Sequence, residues 1–181
     1  MFDSDYVQVS LTTVAGNTFG GIEAVRVSYL TVGGNVIAMN VGNPVGLVEG
    51  GLRLIQSTGA QVTGNLMVGN YKGIELVSGD SNVLTGNAVN GNSGSGILMG
   101  NPGDVVPLTN SRVSSNTTSG NGNSGIQVQG LQPGSSGNEI FSNTSSVGNT
   151  VWDLEDDNAG CGTDFWSGNV FFTTNNPACV H

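Results

Sequence analysis

Charge is scarce in this chain of 181 residues, and positive charge scarcest: 13 Asp and Glu stand against four Lys and Arg, for a formal net charge of −9. Charged residues make up 9% of it, well below the roughly 25% of ordinary globular domains. Duplex nucleic acid is disfavoured as a partner, because phosphate binding needs clustered Lys and Arg. Acidic polysaccharide is disfavoured by the same sum. No apolar run approaches the ~20 residues of a membrane span. Met1-Phe2-Asp3-Ser4-Asp5 has neither the basic nor the hydrophobic region of a signal peptide. Helical periodicity is missing too, since no window keeps apolar positions at helix spacing for three turns. The 30 glycines argue against helix as well. They have no three-residue period, which excludes collagen, and the 36% hydrophobic content separates the chain from disordered ones.

What the chain does have is a repeat. An asparagine, usually behind a glycine, follows an apolar residue by three positions at Val14/Asn17, Val32/Asn35, Val62/Asn65, Leu84/Asn87, Val113/Asn116, Ile140/Asn143 and Trp166/Asn169. The intervals are 18, 30, 22, 29, 27 and 26 residues, a unit constant in type and variable in length, as when loops interrupt a fixed coil. A second asparagine comes five residues later at Asn40, Asn70, Asn92 and Asn121. Then follows glycine, apolar, any residue, apolar: Gly73-Ile74-Glu75-Leu76, Gly96-Ile97-Leu98-Met99 and Gly125-Ile126-Gln127-Val128. Gly21-Ile22-Glu23-Ala24 and Gly51-Leu52-Arg53-Leu54 are weaker copies, and Trp152-Asp153-Leu154 keeps the alternation without the glycine.

Alternation over three to five residues argues short strands. One such strand cannot bury a face alone, but stacked copies pairing in parallel, about 4.8 Å apart, can. The expectation is an all-β, right-handed parallel β-helix of about six to seven coils. One inward column reads Val14, Val32, Val62, Leu84, Val113, Ile140, Trp166; a second Phe19, Ile37, Met67, Val89, Thr118, Ser145, Phe171. The third sets Ile22, Leu52, Ile74, Ile97, Ile126, Trp152 beside Ala24, Leu54, Leu76, Met99, Val128, Leu154. Asparagine and glycine tolerate the left-handed backbone of sharp corners, and stacked asparagines can pass amide hydrogen bonds from coil to coil. The sequons at Asn116 and Asn143 are discounted because both are corner residues.

The chain reads as one domain, residues 1–181, with coils over 1–158 and a terminal coil and cap over 159–181. Strand-like sequence begins by Tyr6-Val7-Gln8-Val9 with nothing ahead of it to cover an open coil edge, so the chain is expected to be the C-terminal part of a longer or truncated protein. Two cysteines confined to the terminal segment, Cys161 and Cys179, point to a disulfide stapling the cap, worth about 3 kcal/mol, with a reduced pair as the alternative. A bridge would imply an extracytoplasmic location. Neither cysteine has the spacing of a zinc or redox site.

The Gly-Asn-x-apolar and Gly-Ile-x-Leu units over residues 10–155, with the ending Asp153-Leu154-Glu155-Asp156-Asp157-Asn158, Cys161-Gly162, Trp166-x-Gly168-Asn169 and Cys179, resemble the pectin-lyase-like β-helix superfamily. More narrowly they resemble secreted bacterial proteins whose repeats are shared with carbohydrate-binding and sugar-hydrolase modules and with a periplasmic copper-maturation protein. The resemblance implies a secreted or cell-surface protein of bacterial type. It also implies what a catalytic member would show: for lyases an Arg or Lys base with carboxylate-bound calcium, for hydrolases several close aspartates with a histidine and a basic residue. The only histidine is His181, the last residue, and the hydrolase pattern is absent. A fold hosts many functions, so activity has to be argued from a site.

Two constellations are candidates. Glu23, Arg53 and Glu75 fall on one outward position of three successive coils, with Tyr71 and Lys72 just before the last. As a site this offers a base in Lys72 or Arg53, a proton donor in Tyr71, and carboxylates including Glu75 for a cation. As structure it is an alternating ladder of the kind that cross-strand pairing favours. The second is an acidic run, in which Asp153, Glu155, Asp157 and Asp164 are calcium candidates and no other cofactor is implied. Against the EF-hand pattern, its sixth position is Asn158 instead of Gly and its twelfth Asp164 instead of Glu; the other reading is a solvated acidic loop at the end of the stack. The function expected is a non-catalytic extracytoplasmic module that binds or presents to polysaccharide or a cell-surface partner, with a polysaccharide lyase or glycoside hydrolase as the alternative. Outward Val25, Ile55 and Val77 would then call for some cover.

Overall fold

The computed structural model describes residues 3–41, 50–101, 103, 105–131, 133–158 and 161–181. Every named strand pair in it is parallel, and strands one coil apart in sequence are neighbours in space. Sheet I holds Gln8–Ser10, Thr31–Gly33, Gln61–Thr63, Val83–Thr85, Arg112–Ser114, Glu139–Phe141 and Phe165–Ser167. Sheet II holds Thr13–Ala15, Val36–Ala38, Leu66–Val68, Ala88–Asn90, Thr117–Ser119 and Thr144–Ser145. Sheet III holds Ile22–Val25, Leu52–Ile55, Ile74–Leu76, Ile97–Met99, Ile126–Val128 and Leu154–Asp156. A small fourth sheet of Ser57–Thr58, Gly79–Asp80 and Leu108–Thr109 bridges III back to I.

Each strand is three or four residues long in these three sheets, save one of two, so one inward side chain from I, one from II and two from III close the core. Six successive coils carry a strand in all three sheets, and Phe165–Ser167 opens a partial one at the C-terminal end. The boundary placed at residue 159 falls on Ala159 and Gly160, outside the described residues. No helix among the described residues is long and apolar enough to cross a membrane.

Most of the expected columns stand, with slips at the two ends. Val9, not Val14, pairs with Val32; Val14 pairs with Ile37 in sheet II, and Phe19 is 62% exposed. The reason is that Gly16-Asn17 belongs to the second corner of its coil, where Asn17 donates to Asn40. At the other end Leu154, not Trp152, lies beside Ile126, and Asp156 lies beside Val128. Thr118 and Ser145 do occupy the second column: both are buried, with Thr118 Oγ1 and Ser145 Oγ 2.8 Å apart and Ser145 Oγ donating to the Asp153 carbonyl.

The asparagines work differently from the expectation that they adopt the left-handed bend. That conformation falls on the residue ahead of them, as at Gly64 (φ 62°) before Asn65 and Met39 (φ 54°) before Asn40. The asparagine itself supplies hydrogen bonds. Asn65 Oδ1 accepts from both the backbone N–H and the Nδ2 of Asn35, each at 2.9 Å. Its own Nδ2 donates to the Val32 carbonyl and to Asn87 Oδ1, again at 2.9 Å. All four capacities of the amide are thereby used. One such ladder runs Asn35, Asn65, Asn87, Asn116, Asn143, Asn169, and a second Asn17, Asn40, Asn70, Asn92, Asn121, Asn149. Asn116 and Asn143, the sequon positions, are fully buried within the first.

A third ladder, not foreseen from the sequence, runs down the corner before sheet I through Asn82, Ser111, Asn138 and Asp164. The glycine ahead of five of the six sheet III strands, all but Leu154–Asp156, is there for close approach. A Cβ on Gly96 would lie 2.6 Å from the Gly125 carbonyl oxygen and 2.8 Å from Asn121 Nδ2.

The far end is closed by the Cys161–Cys179 disulfide, which spans 18 residues. Cys179 and Val180 are buried against the last coil.

Candidate functional site

The outer face of sheet III carries one row of side chains, Glu23, Arg53, Glu75, Leu98, Gln127 and Glu155, brought into line by the strand register. The first three stack as the sequence predicts. Arg53 Nη1 lies 3.3 Å from Glu23 Oε1, and Arg53 Nε lies 3.1 Å from Glu75 Oε2, an ion pair whose angle departs from that of a hydrogen bond. Lys72 Nζ donates to Glu75 Oε1 at 2.8 Å. The Glu75 side chain is 1% exposed, Arg53 12% and Lys72 19%. Both cations are thus committed to carboxylates, and Glu75 is buried between them.

Beyond this cluster, at Leu98 and Gln127, the face is uncharged and concave. A cavity of about 390 Å³ is lined by Tyr71, Lys72, Ser93, Gly94, Ser95, Leu98, Gly122, Asn123, Gln127 and Gln129. One wall is made by the segments that enter three consecutive sheet III strands. They stack so tightly that a Cβ on Gly122 would meet the Ser93 carbonyl at 2.2 Å. Backbone bonds from Gly94 N to Tyr71 O and from Asn123 N to Gly94 O join them. Gln127 sets the floor: Ser95 Oγ donates to its Oε1 at 2.7 Å and Asn123 Nδ2 at 3.1 Å, while its own Nε2 donates to Asp157 Oδ2 at 3.2 Å.

Of the catalytic candidates, Tyr71 and Lys72 therefore line the cavity, while Arg53 and Glu75 stand behind Lys72 in the same row. The residues that sequence reasoning missed are Ser95, Asn123, Gln127 and Gln129. Their signal was the pair of small polar segments Asn92-Ser93-Gly94-Ser95 and Asn121-Gly122-Asn123-Ser124 one coil apart.

The four calcium candidates are distributed over three places. Glu155 and Asp157 share the outer face of the last sheet III strand; burial raises the Glu155 carboxyl, a hydrogen bond from Ser124 Oγ opposes this, and the Asp157 charge adds to it. Asp153 lies on the inner side, accepting from Asn149 Nδ2 and from the backbone N–H groups of Phe172 and Thr173. Asp164 ends the third ladder, its Oδ1 accepting from Asn138 Nδ2 at 3.0 Å. Burial pushes its carboxyl up to about 6, the Asn138 bond pulls it down, and the nearby Asp156 charge raises it further. No group of three or more His, Cys, Asp or Glu placed to hold a metal ion occurs among the described residues.

Of the outward apolar trio, Val77 is buried on the outside of the sheet, and Val25 and Ile55 are half-buried. No curated protein and no solved structure matches the chain. The model of the right handed beta helix region matches residues 1–176, nearly the whole length of the chain, in agreement with its parallel coils, and the protein belongs to that right-handed β-helix family.

Proposed function

We propose that the protein is an extracytoplasmic, non-catalytic β-helix module that holds neutral polysaccharide against the outer face of sheet III. The observation that carries this reading is the cavity beside Lys72. Hydroxyls and amides of Tyr71, Ser93, Ser95, Asn123, Gln127 and Gln129 converge there, which is the donor and acceptor chemistry of sugar hydroxyls. The Cys161–Cys179 bridge supports an oxidising compartment. The ion pairs that occupy Arg53 and Lys72 support binding over proton abstraction.

Tyr71 and Lys72 side by side on the cavity wall are the observation that favours the second reading, a polysaccharide lyase with Lys72 as base and Tyr71 as proton donor. The two part company in one experiment. Immobilised neutral and uronic-acid polysaccharides are used to retain the protein, with and without calcium, while the absorbance of unsaturated products is followed. Retention without product, lost in Tyr71→Ala and Asn123→Ala, supports the module. Product release that stops in Lys72→Gln supports the lyase.

A further inference from the structure

We propose that a recess on sheet I, formed by Arg112, Glu139, Phe141, Phe165 and Ser167, is a separate carbohydrate subsite that takes one neutral pyranose ring of an oligosaccharide. The strand register assembles it from three consecutive coils. Arg112, Glu139 and Phe165 are partners in one outward row, while Phe141 and Ser167 are partners in the next. The recess encloses about 210 Å³, room for one ring and its hydroxyls.

Its chemistry is of two kinds. Phe165 is 60% exposed although it lies in a paired strand, so a flat aromatic surface stands open where the repeat elsewhere puts Thr31, Gln61 or Val83. Such a surface suits the C–H face of a pyranose. Beside it, Arg112 Nε donates to Glu139 Oε2 at 2.8 Å, and the Arg112 guanidinium lies over the Phe141 ring, 5.2 Å from its centroid. That arrangement holds a donor fork and a carboxylate in fixed positions with no net charge between them. Neighbouring sugar hydroxyls need both a donor and an acceptor at one place, and the ion pair supplies them.

The occupant follows from that composition. A protein-docking patch would continue as apolar surface, but the row ahead of Phe141 is Thr63, Thr85 and Ser114, with Ser114 Oγ donating to Thr85 Oγ1. These positions recur once per coil, close to the length of one sugar unit along an extended glycan, and the half-buried Thr63 and Thr85 give the chain on one side of the bound ring polar ground. An acidic sugar is disfavoured by the Glu139 carboxylate and the net charge of −9. This inference stands on sheet I and does not depend on the sheet III cavity.

The test is NMR of the full chain with labelled phenylalanine rings, titrated with cello-, malto- and manno-oligosaccharides. The expected result is a saturable shift at Phe141 and Phe165 with at least one of the three. Phe165→Ala should weaken it at least ~10-fold, a loss of about 1.4 kcal/mol, while Phe165→Trp keeps it. Glu139→Gln, which leaves the ring in place, should also weaken it, and Gln61→Ala, on the same face two coils away, should not. Thermal melting of each variant checks that it is folded. No saturable ring shift with any of the three sugars overturns the proposal. So does a shift undiminished in both Phe165→Ala and Glu139→Gln, or ring shifts that track protein concentration instead of sugar.

Discussion

Trp166 Nε1 donates to Asp156 Oδ2 at 3.1 Å, deep in the last coil, where Asp156 takes the column place that Val128 and Met99 hold above it. A carboxylate is tolerated there because Asp156 Oδ1 also accepts from the backbone N–H and the Nδ2 of Asn158. The pair converts the end of an apolar core into a polar closure on which the cap rests.

Removing the acceptor should show in stability. Asp156→Ala leaves the buried indole N–H without a partner and should cost about 2–4 kcal/mol, measured by urea unfolding. Asp156→Asn keeps an acceptor oxygen and should cost less.

The amide ladders predict a strong dependence on position. Asn65→Ala strands buried groups on both neighbouring coils and should cost about 3 kcal/mol. Asn17, at the exposed start of its ladder, donates only to Asn40, and Asn17→Ala should cost under about 1 kcal/mol. Equal losses in urea unfolding would contradict the ladder as the source of register.

Asp164 gives the molecule a pH dependence of unusual sign. Its carboxyl titrates near 3.8 when unperturbed and at about 6 in the fold. Between those values the folded state keeps a proton that the unfolded chain has released, so stability falls as pH rises through the window. The contribution is full below the lower value and lost above the upper one. Solvent screening at this half-buried position brings it to about 1–2 kcal/mol. Asp164→Asn, which keeps the acceptor for Asn138, should remove that part of the slope and stabilise the protein at neutral pH. The difference between wild type and variant isolates Asp164 from Glu155, whose raised carboxyl acts in the same direction.

The disulfide should hold the cap down. Its separation of 18 residues corresponds to about 3 kcal/mol, so a Cys161→Ser, Cys179→Ser double variant should lose roughly that much in unfolding. Free-thiol labelling of the denatured, unreduced chain should find none.

The central coils were legible because inward and outward positions alternate within each sheet I, II and III strand between Leu52 and Val128, and like residues stack on like. The end coils were not. Gly-Asn marks both of the first two corners, so Gly16-Asn17 could be placed one corner too early. A slip of two residues preserves which side faces in, so alternation could not tell Trp152 from Leu154 as the partner of Ile126. The third ladder escaped because it mixes Asn82 with Ser111 and Asp164.

At the site, the stacking of Glu23, Arg53 and Glu75 could be read from strand register alone. The cavity beside it could not, because apart from Tyr71 and Lys72 it is built of small or neutral residues with no signature. Gln127 shows the cost of this: from the sequence it is an outward residue whose truncation should be nearly silent, whereas the structure buries it with Ser95, Asn123 and Asp157 bonded to it. Ile97→Asp should abolish folding, since Ile97 is fully buried in an apolar column and the charge would have no partner.

The sheet III reading is tested most directly by calorimetric titration of the full chain with neutral oligosaccharides, wild type beside Gln127→Ala, with the same samples assayed afterwards for cleavage. Saturable binding in wild type, weakened about tenfold in the variant and leaving the sugar intact, is the predicted result. Cleaved sugar, or binding that Gln127→Ala leaves unchanged, would contradict a non-catalytic module that binds through this cavity.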